Sequence, residues 1–141
     1  MALKHLTPDL AVAAQVAPSD LAAIAAAGFT TVICNRPDGE EPNQPGHEAM
    51  AQAAGALGLR FEHQPVVTGQ VTPEQGQVFG DLLAQASGPV LAYCRSGMRS
   101  TTLWAYSQAD RQPWQSLLQT AAQAGYDLSK LAPPARPAPA R

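Results

Sequence analysis

Apolar and polar positions along the chain switch between a short strand-like period and a helical one, and the switches mark the elements. Leu10 to Val16 is a short apolar run that suits a strand. Pro18-Ser19-Asp20 then opens a helix, with Ser19 or Asp20 as cap, Leu21, Ile24 and Ala25 on one face, and Gly28 as its stop. Thr30-Thr31-Val32-Ile33-Cys34 reads as a buried strand, and Asn35 to Gly46 as a long loop holding Pro37, Gly39, Pro42 and Pro45. A helix from about His47 to Leu57 follows, ended by Gly58, and then a strand from Arg60 to Val66 with its loop Val67 to Val71. Thr72-Pro73-Glu74 starts a helix running to about Ala86. Pro89 to Tyr93 is a strand that leads straight into Cys94-Arg95-Ser96-Gly97-Met98-Arg99. Ser100 to about Asp110 is helical, Pro113 starts a helix through Ala124 closed by Gly125, and Leu128 to Leu131 has room for one more turn.

Strands alternating with helices predict an α/β fold: a mostly parallel sheet of about four strands with helices on its faces. Residues 1–131 form one domain in this reading, and the Pro/Ala/Arg stretch 132–141 is expected to be extended or mobile. Ligands of such sheets bind at the carboxyl ends of the strands, where the Cys94 loop falls.

Composition narrows the function more than the fold. Of 141 residues, 45% are apolar and 14% charged, a globular balance, and the net charge is −2. No basic face or run exists, which argues against a general nucleic-acid or membrane-surface binder. No segment approaches the ~20 apolar residues of a membrane span. Lys4 ahead of the apolar run Leu10 to Ala17 faintly resembles a signal peptide, but Pro8 and Asp9 interrupt it. The run therefore reads as a strand, and the expected location is cytoplasmic. Two cysteines, Cys34 and Cys94, make no disulfide framework, and three histidines (His5, His47, His63) stand singly, without the clustering a zinc site needs. Neither a metal nor an organic cofactor is expected.

The chemistry concentrates at Cys94. A loop that leaves a buried strand and enters a helix aims backbone N–H groups at one spot, and the helix adds its positive end. The first anion such a cradle stabilises is the sulfur itself, which makes Cys94 a thiolate nucleophile. Gly97 lets the backbone turn inward, Arg99 offers a planar fork to an oxyanion, and Ser100 is placed to donate its hydroxyl to the thiolate.

The loop is similar to those of cysteine-based phosphatases and of rhodaneses. The phosphatase motif is His-Cys, five residues, then Arg; here Tyr93 replaces the His, and four residues separate Cys94 from Arg99, a spacing closer to the rhodanese loop. A second stretch, Thr31-Val32-Ile33-Cys34-Asn35-Arg36-Pro37-Asp38-Gly39-Glu40-Glu41, together with Tyr93-Cys94-Arg95-Ser96-Gly97, resembles the bacterial beta-lactamase hydrolase-like, phosphatase-like domain family over about residues 5 to 110. That resemblance implies the three-layer dual-specificity phosphatase fold, and an activity described as sulfur transfer or phosphatase. Some members are fused to a persulfide dioxygenase domain; none is expected in this chain, so such a partner would be a separate protein.

The first functional expectation is a sulfurtransferase. Cys94 takes sulfane sulfur from a small anionic donor such as thiosulfate or a persulfide, and passes it to a thiol or cyanide acceptor. The second is a cysteine-dependent phosphatase, and the third an inactive phosphate-binding interaction module. Cys94 and Arg99 are the expected catalytic residues, with Arg95, Ser96, Gly97, Met98, Ser100, Arg36 and Asp38 around the substrate. Asp38, Glu40 and Glu41 are also candidates for orienting Arg99 or Arg95. Phosphatases of the resembling fold place an aspartate on the loop after the third strand, whereas Val67-Thr68-Gly69-Gln70 holds no acid. Cys34 reads as core, with a resolving thiol as the alternative. Trp104, Tyr106 and Trp114 read as helix core, His63 as structural or solvent-facing, and His47 as a rim residue.

Overall fold

The computed structural model describes residues 2–134. Five strands form one sheet in the order β1-β2-β5-β3-β4: β1 Lys4–Thr7, β2 Leu10–Ala13, β3 Thr31–Cys34, β4 Arg60–His63 and β5 Val90–Tyr93. β2, β5, β3 and β4 pair in parallel, and β1 folds back antiparallel on β2. The helices are α1 Leu21–Ala26, α2 His47–Ala56, α3 Pro73–Gln85, α4 Met98–Gln108 and α5 Trp114–Gln123.

Side chains alternate across the sheet with the period of two that strands impose. On β5, Val90 and Ala92 join Phe79, Leu103, Trp104 and Leu117 of α3, α4 and α5 in one core. Leu91 and Tyr93 point the other way, into a second core with Leu21, Ile24, Met50 and Ala54 of α1 and α2. Two cores on two faces make the three-layer α/β arrangement that the resemblance implied.

The sheet has one strand more than the expected four. In β1 only Leu6 is buried, so Lys4-His5-Leu6-Thr7 lacks a strand's apolar signature. Pro18–Asp20 is a short 3-10 turn ahead of α1, in which the Asp20 carboxylate accepts the Ala17 N–H at 2.9 Å. β2 and β4 end three residues earlier than expected. Thr72 caps α3 as its Thr-Pro-Glu start suggests, its hydroxyl accepting the Gln75 N–H at 3.2 Å. Helix α4 starts at Met98, two residues before the expected Ser100. The C-terminal Pro/Ala stretch lies outside the described residues from 135 on; Pro133 and Pro134 line a shallow cleft with Tyr106 and Trp114.

Candidate active site

The carboxyl ends of β2, β3, β4 and β5 converge, and the chain leaves β5 directly into Cys94. The Cys94 N–H extends the ladder to the Ala13 carbonyl at 3.4 Å, and the Gln15 N–H reaches the Arg95 carbonyl at 3.3 Å. Gly97 then takes φ 98°, a left-handed conformation that suits glycine, and α4 begins at the next residue. This turn aims the Gly97 N–H at the Cys94 sulfur, 3.1 Å away. Thr101 and Thr102 tie the first turn down, their hydroxyls donating to the Gly97 and Met98 carbonyls at 2.8 and 2.9 Å. Cys94 is therefore a buried sulfur at a helix start with one backbone N–H on it, where the loop pattern pointed to several.

Arg99 is where the sequence placed it, and its partners are now visible. Both terminal guanidinium nitrogens donate to Glu40, Nη1 to Oε2 and Nη2 to Oε1 at 2.8 Å each, and Nη1 also donates to the Val66 carbonyl at 2.9 Å. The hydrogen bond with Glu40 first, and then the nearby Cys94 sulfur, holds the Arg99 proton more firmly than usual against the opposing effect of burial. Glu40 Oε1 is shared, because Arg36 Nε donates to it at 2.8 Å.

Four expected roles need correction. Arg36 offers no charge to a donor: it is 2% exposed, and it donates to Glu40, to Glu41 at 3.0 Å and to Gln15 Oε1 at 2.9 Å. It stands behind the site as the post that holds both glutamates. Asp38 orients neither Arg99 nor Arg95; it accepts the His47 N–H at 2.9 Å and contacts His47 Nδ1 at 2.6 Å. The Ser100 hydroxyl donates to Asn35 Oδ1 at 2.8 Å instead of to the sulfur, tying α4 to the end of β3. Asn35 in turn donates to the Gln64 carbonyl at 3.0 Å, so the ends of β3 and β4 and the start of α4 are linked through one buried amide. The Met98 N–H is used within the loop, on Ser96 Oγ at 3.3 Å, and the Met98 side chain is exposed at the rim.

Arg95 reaches out of the loop to Glu41, Nε to Oε1 at 3.1 Å. This is a single contact between exposed side chains, unlike the two-point grip of Glu40 on the buried Arg99. Cys34 is buried and donates its thiol to the Arg36 carbonyl at 3.4 Å; burial pushes that thiol up and keeps it neutral. Both cysteines are free. Tyr93, at the position of the phosphatase histidine, is fully buried in the core under α1 and α2.

The histidines are less scattered than the sequence suggests. His47 and His63 stack with centroids 4.1 Å apart, and with Asp38 they form a cluster of three donors within 4.8 Å of one another. The rings lie only 15° from parallel, so their in-plane lone pairs run side by side and do not converge on one point. His63 Nε2 is already bonded to the Arg36 carbonyl at 3.0 Å. In this arrangement the cluster buttresses the Arg36–Glu41 loop.

Residues 2–111 match the family described as beta-lactamase hydrolase-like protein, phosphatase-like domain. The chain belongs to this family. A beta-lactamase hydrolase-like protein of Agrobacterium fabrum is 39% identical over 105 residues, which cover 74% of this chain and 24% of that protein. The chain spans about a quarter of the length of the curated relatives it matches. A candidate phosphatase of Neisseria meningitidis z2491 is similar in structure, with a TM-score of 0.83 and 37% identity over 91% of this chain and 92% of that one. P. aeruginosa TpbA, solved in complex with pTyr, shares the fold at 18% identity, with a TM-score of 0.68 over 92% of this chain and 77% of that one. The fold is that of the dual-specificity and tyrosine phosphatases, as the family resemblance implied. Among the described residues no helix is long and apolar enough to cross a membrane.

The shared carboxylate carries a testable pH signature. Arg99 first, and Arg36 after it, pull Glu40 from 4.5 down to about 2. A carboxyl lowered on folding stabilises the fold fully above about 4.5 and loses that contribution as pH falls towards 2. Thermal unfolding midpoints measured between those values should fall less steeply in Glu40→Gln than in the wild type. Parallel profiles would remove Glu40 from the ionic centre of the site.

Sequence reasoning named Glu40 and Glu41 but missed Gln15, Asn35, the Val66 carbonyl and Tyr126, whose hydroxyl donates to the Ser96 carbonyl of the loop at 3.1 Å. Asn35 was legible as a polar residue directly after a buried strand. Val66 acts through its backbone, which no side-chain pattern reports.

Proposed function

We propose that the protein is a cysteine-based hydrolase of the phosphatase type. The Cys94 thiolate attacks phosphorus, the ester oxygen leaves, and water then cleaves the S–P bond to release phosphate and restore the thiolate. The observation that carries this reading is the buried Cys94 sulfur, held by the Gly97 N–H beside an Arg99 fixed on two sides by Glu40. The family description and the likeness to the Neisseria protein support phosphoryl chemistry above the sulfur transfer to which the loop spacing first pointed.

The substrate class follows from what the next loop contains. The Val66 carbonyl binds Arg99, so Val67, Thr68, Gly69 and Gln70 leave from the edge of the site and bring no carboxylic acid. Without a proton for the departing oxygen, the best substrates are phosphates with acidic leaving groups, such as aryl esters.

Sulfur transfer is the second reading, and two observations favour it. Cys94 and Arg99 are separated by four residues rather than five, and transfer of sulfane sulfur to a thiol or cyanide needs no leaving-group acid. Intact-mass spectrometry separates the readings. An aryl phosphate should leave an adduct of about 80 Da on Cys94 in a rapid quench, while thiosulfate or a persulfide would leave about 32 Da. A sulfur adduct from either donor without a phosphoryl adduct replaces the first reading by the second. Neither adduct leaves the phosphate-binding module.

A further inference from the structure

The Ser96–Gly97 peptide is held at both ends. Its N–H donates to the Cys94 sulfur at 3.1 Å, and its carbonyl accepts the Tyr126 hydroxyl, also at 3.1 Å. A peptide unit is planar, so carbonyl and N–H turn together. A donor on the carbonyl therefore fixes the direction of the N–H, and by polarising the amide it strengthens that N–H as a donor. Gly97 makes the restraint necessary. With no Cβ and φ 98°, it leaves this peptide freer to rotate than any other residue would, and a rotated peptide would present its carbonyl to the sulfur.

Tyr126 is delivered to the loop by the end of α5. Gly125 takes φ 100°, its N–H bonds the Ala122 carbonyl at 3.0 Å, and the Tyr126 N–H bonds the Ala121 carbonyl at 2.9 Å. These paired bonds are the Schellman ending of a helix, in which the chain turns back across the last turn. The phenol then lies over Gly97 so closely that a Cβ added there would sit 2.1 Å from its oxygen. Burial first, and the Cys94 charge second, push this phenol up, so it stays a protonated donor at neutral pH. Tyr126 lies beyond residue 111, where the family match ends.

We propose that Tyr126 is a positioning residue of the active loop: its hydroxyl locks the Ser96–Gly97 peptide with the N–H on Cys94, and so keeps the sulfur in its reactive thiolate form. The proposal rests on Cys94 being the thiolate nucleophile, and is indifferent to whether phosphorus or sulfur is transferred.

Tyr126→Phe tests it, because only the hydroxyl is removed and the ring stays over Gly97. Alkylation of Cys94 by iodoacetamide is followed across pH 6 to 9, roughly the span in which thiols ionise, with the modified peptide identified by mass. The variant should react about three- to tenfold more slowly near pH 6.5, the worth of one hydrogen bond. Its profile should move to higher pH while its thermal midpoint stays close to that of the wild type. Tyr126→Leu, which removes the ring as well, should move the profile in the same direction. Profiles that coincide with the wild type in a folded Phe or Leu variant overturn the role of Tyr126. A wild-type Cys94 that reacts no faster at pH 6.5 than a free cysteine peptide overturns the thiolate reading itself, and the proposal with it.

Discussion

Cys94→Ser removes turnover, with a loss of at least about a thousandfold, and leaves the fold as it was. The substitution exchanges one atom in a buried position, and a serine hydroxyl can still accept the Gly97 N–H that now meets the sulfur at 3.1 Å. What disappears is the nucleophile, since an alcohol in the same cradle stays protonated at neutral pH. Steady-state rates on an aryl phosphate and on thiosulfate, with thermal unfolding as the control for folding, measure the effect. A serine protein that keeps a tenth of the wild-type rate on its preferred donor would show that the chemistry lies elsewhere.

Arg99→Lys should cost about a hundredfold in the loading step, far more than a charge-conserving exchange suggests. Arg99 spans both oxygens of Glu40 and the Val66 carbonyl at once, so its plane is set before any substrate arrives. Those bonds leave the Nε–H and the second Nη2 hydrogen side by side for an oxyanion, and a lysine that satisfies one Glu40 oxygen has no such flat pair to offer. Single-turnover formation of the Cys94 adduct isolates this step from its discharge. Equal loading rates in the two proteins would exclude Arg99 from contact with the donor.

The parallel sheet, its two faces and the place of Cys94 were readable because each rests on local signals. The apolar runs of β2, β3 and β5 and the Thr-Pro-Glu start of α3 are confined to a few neighbouring residues. β1 was missed because its only buried residue is Leu6, and because Pro8-Asp9, the turn into β2, looked like an interruption. Arg36 misled for a different reason. An arginine in a Pro-Gly loop at a ligand-binding edge has the composition of an anion binder, and only the fold brings Gln15 beneath it from 21 positions away. Tyr126 is 30 positions from the carbonyl it holds, and its side chain is aimed by a helix ending. The distance in sequence, more than any subtlety of the residue, kept these contacts out of view.

The arginines and glutamates around the loop form one line: Arg95 to Glu41, Glu41 to Arg36, Arg36 to Glu40, Glu40 to Arg99. Three guanidiniums face two carboxylates, which leaves a single positive charge on the line. Each carboxylate is shared by two arginines, Glu40 by Arg36 and Arg99 and Glu41 by Arg36 and Arg95, so no guanidinium carries that surplus alone. Removing either glutamate would raise the surplus to two, and removing one arginine would cancel it. On the phosphatase reading proposed above, the line behind the loop is thus a shared source of attraction for an anionic donor.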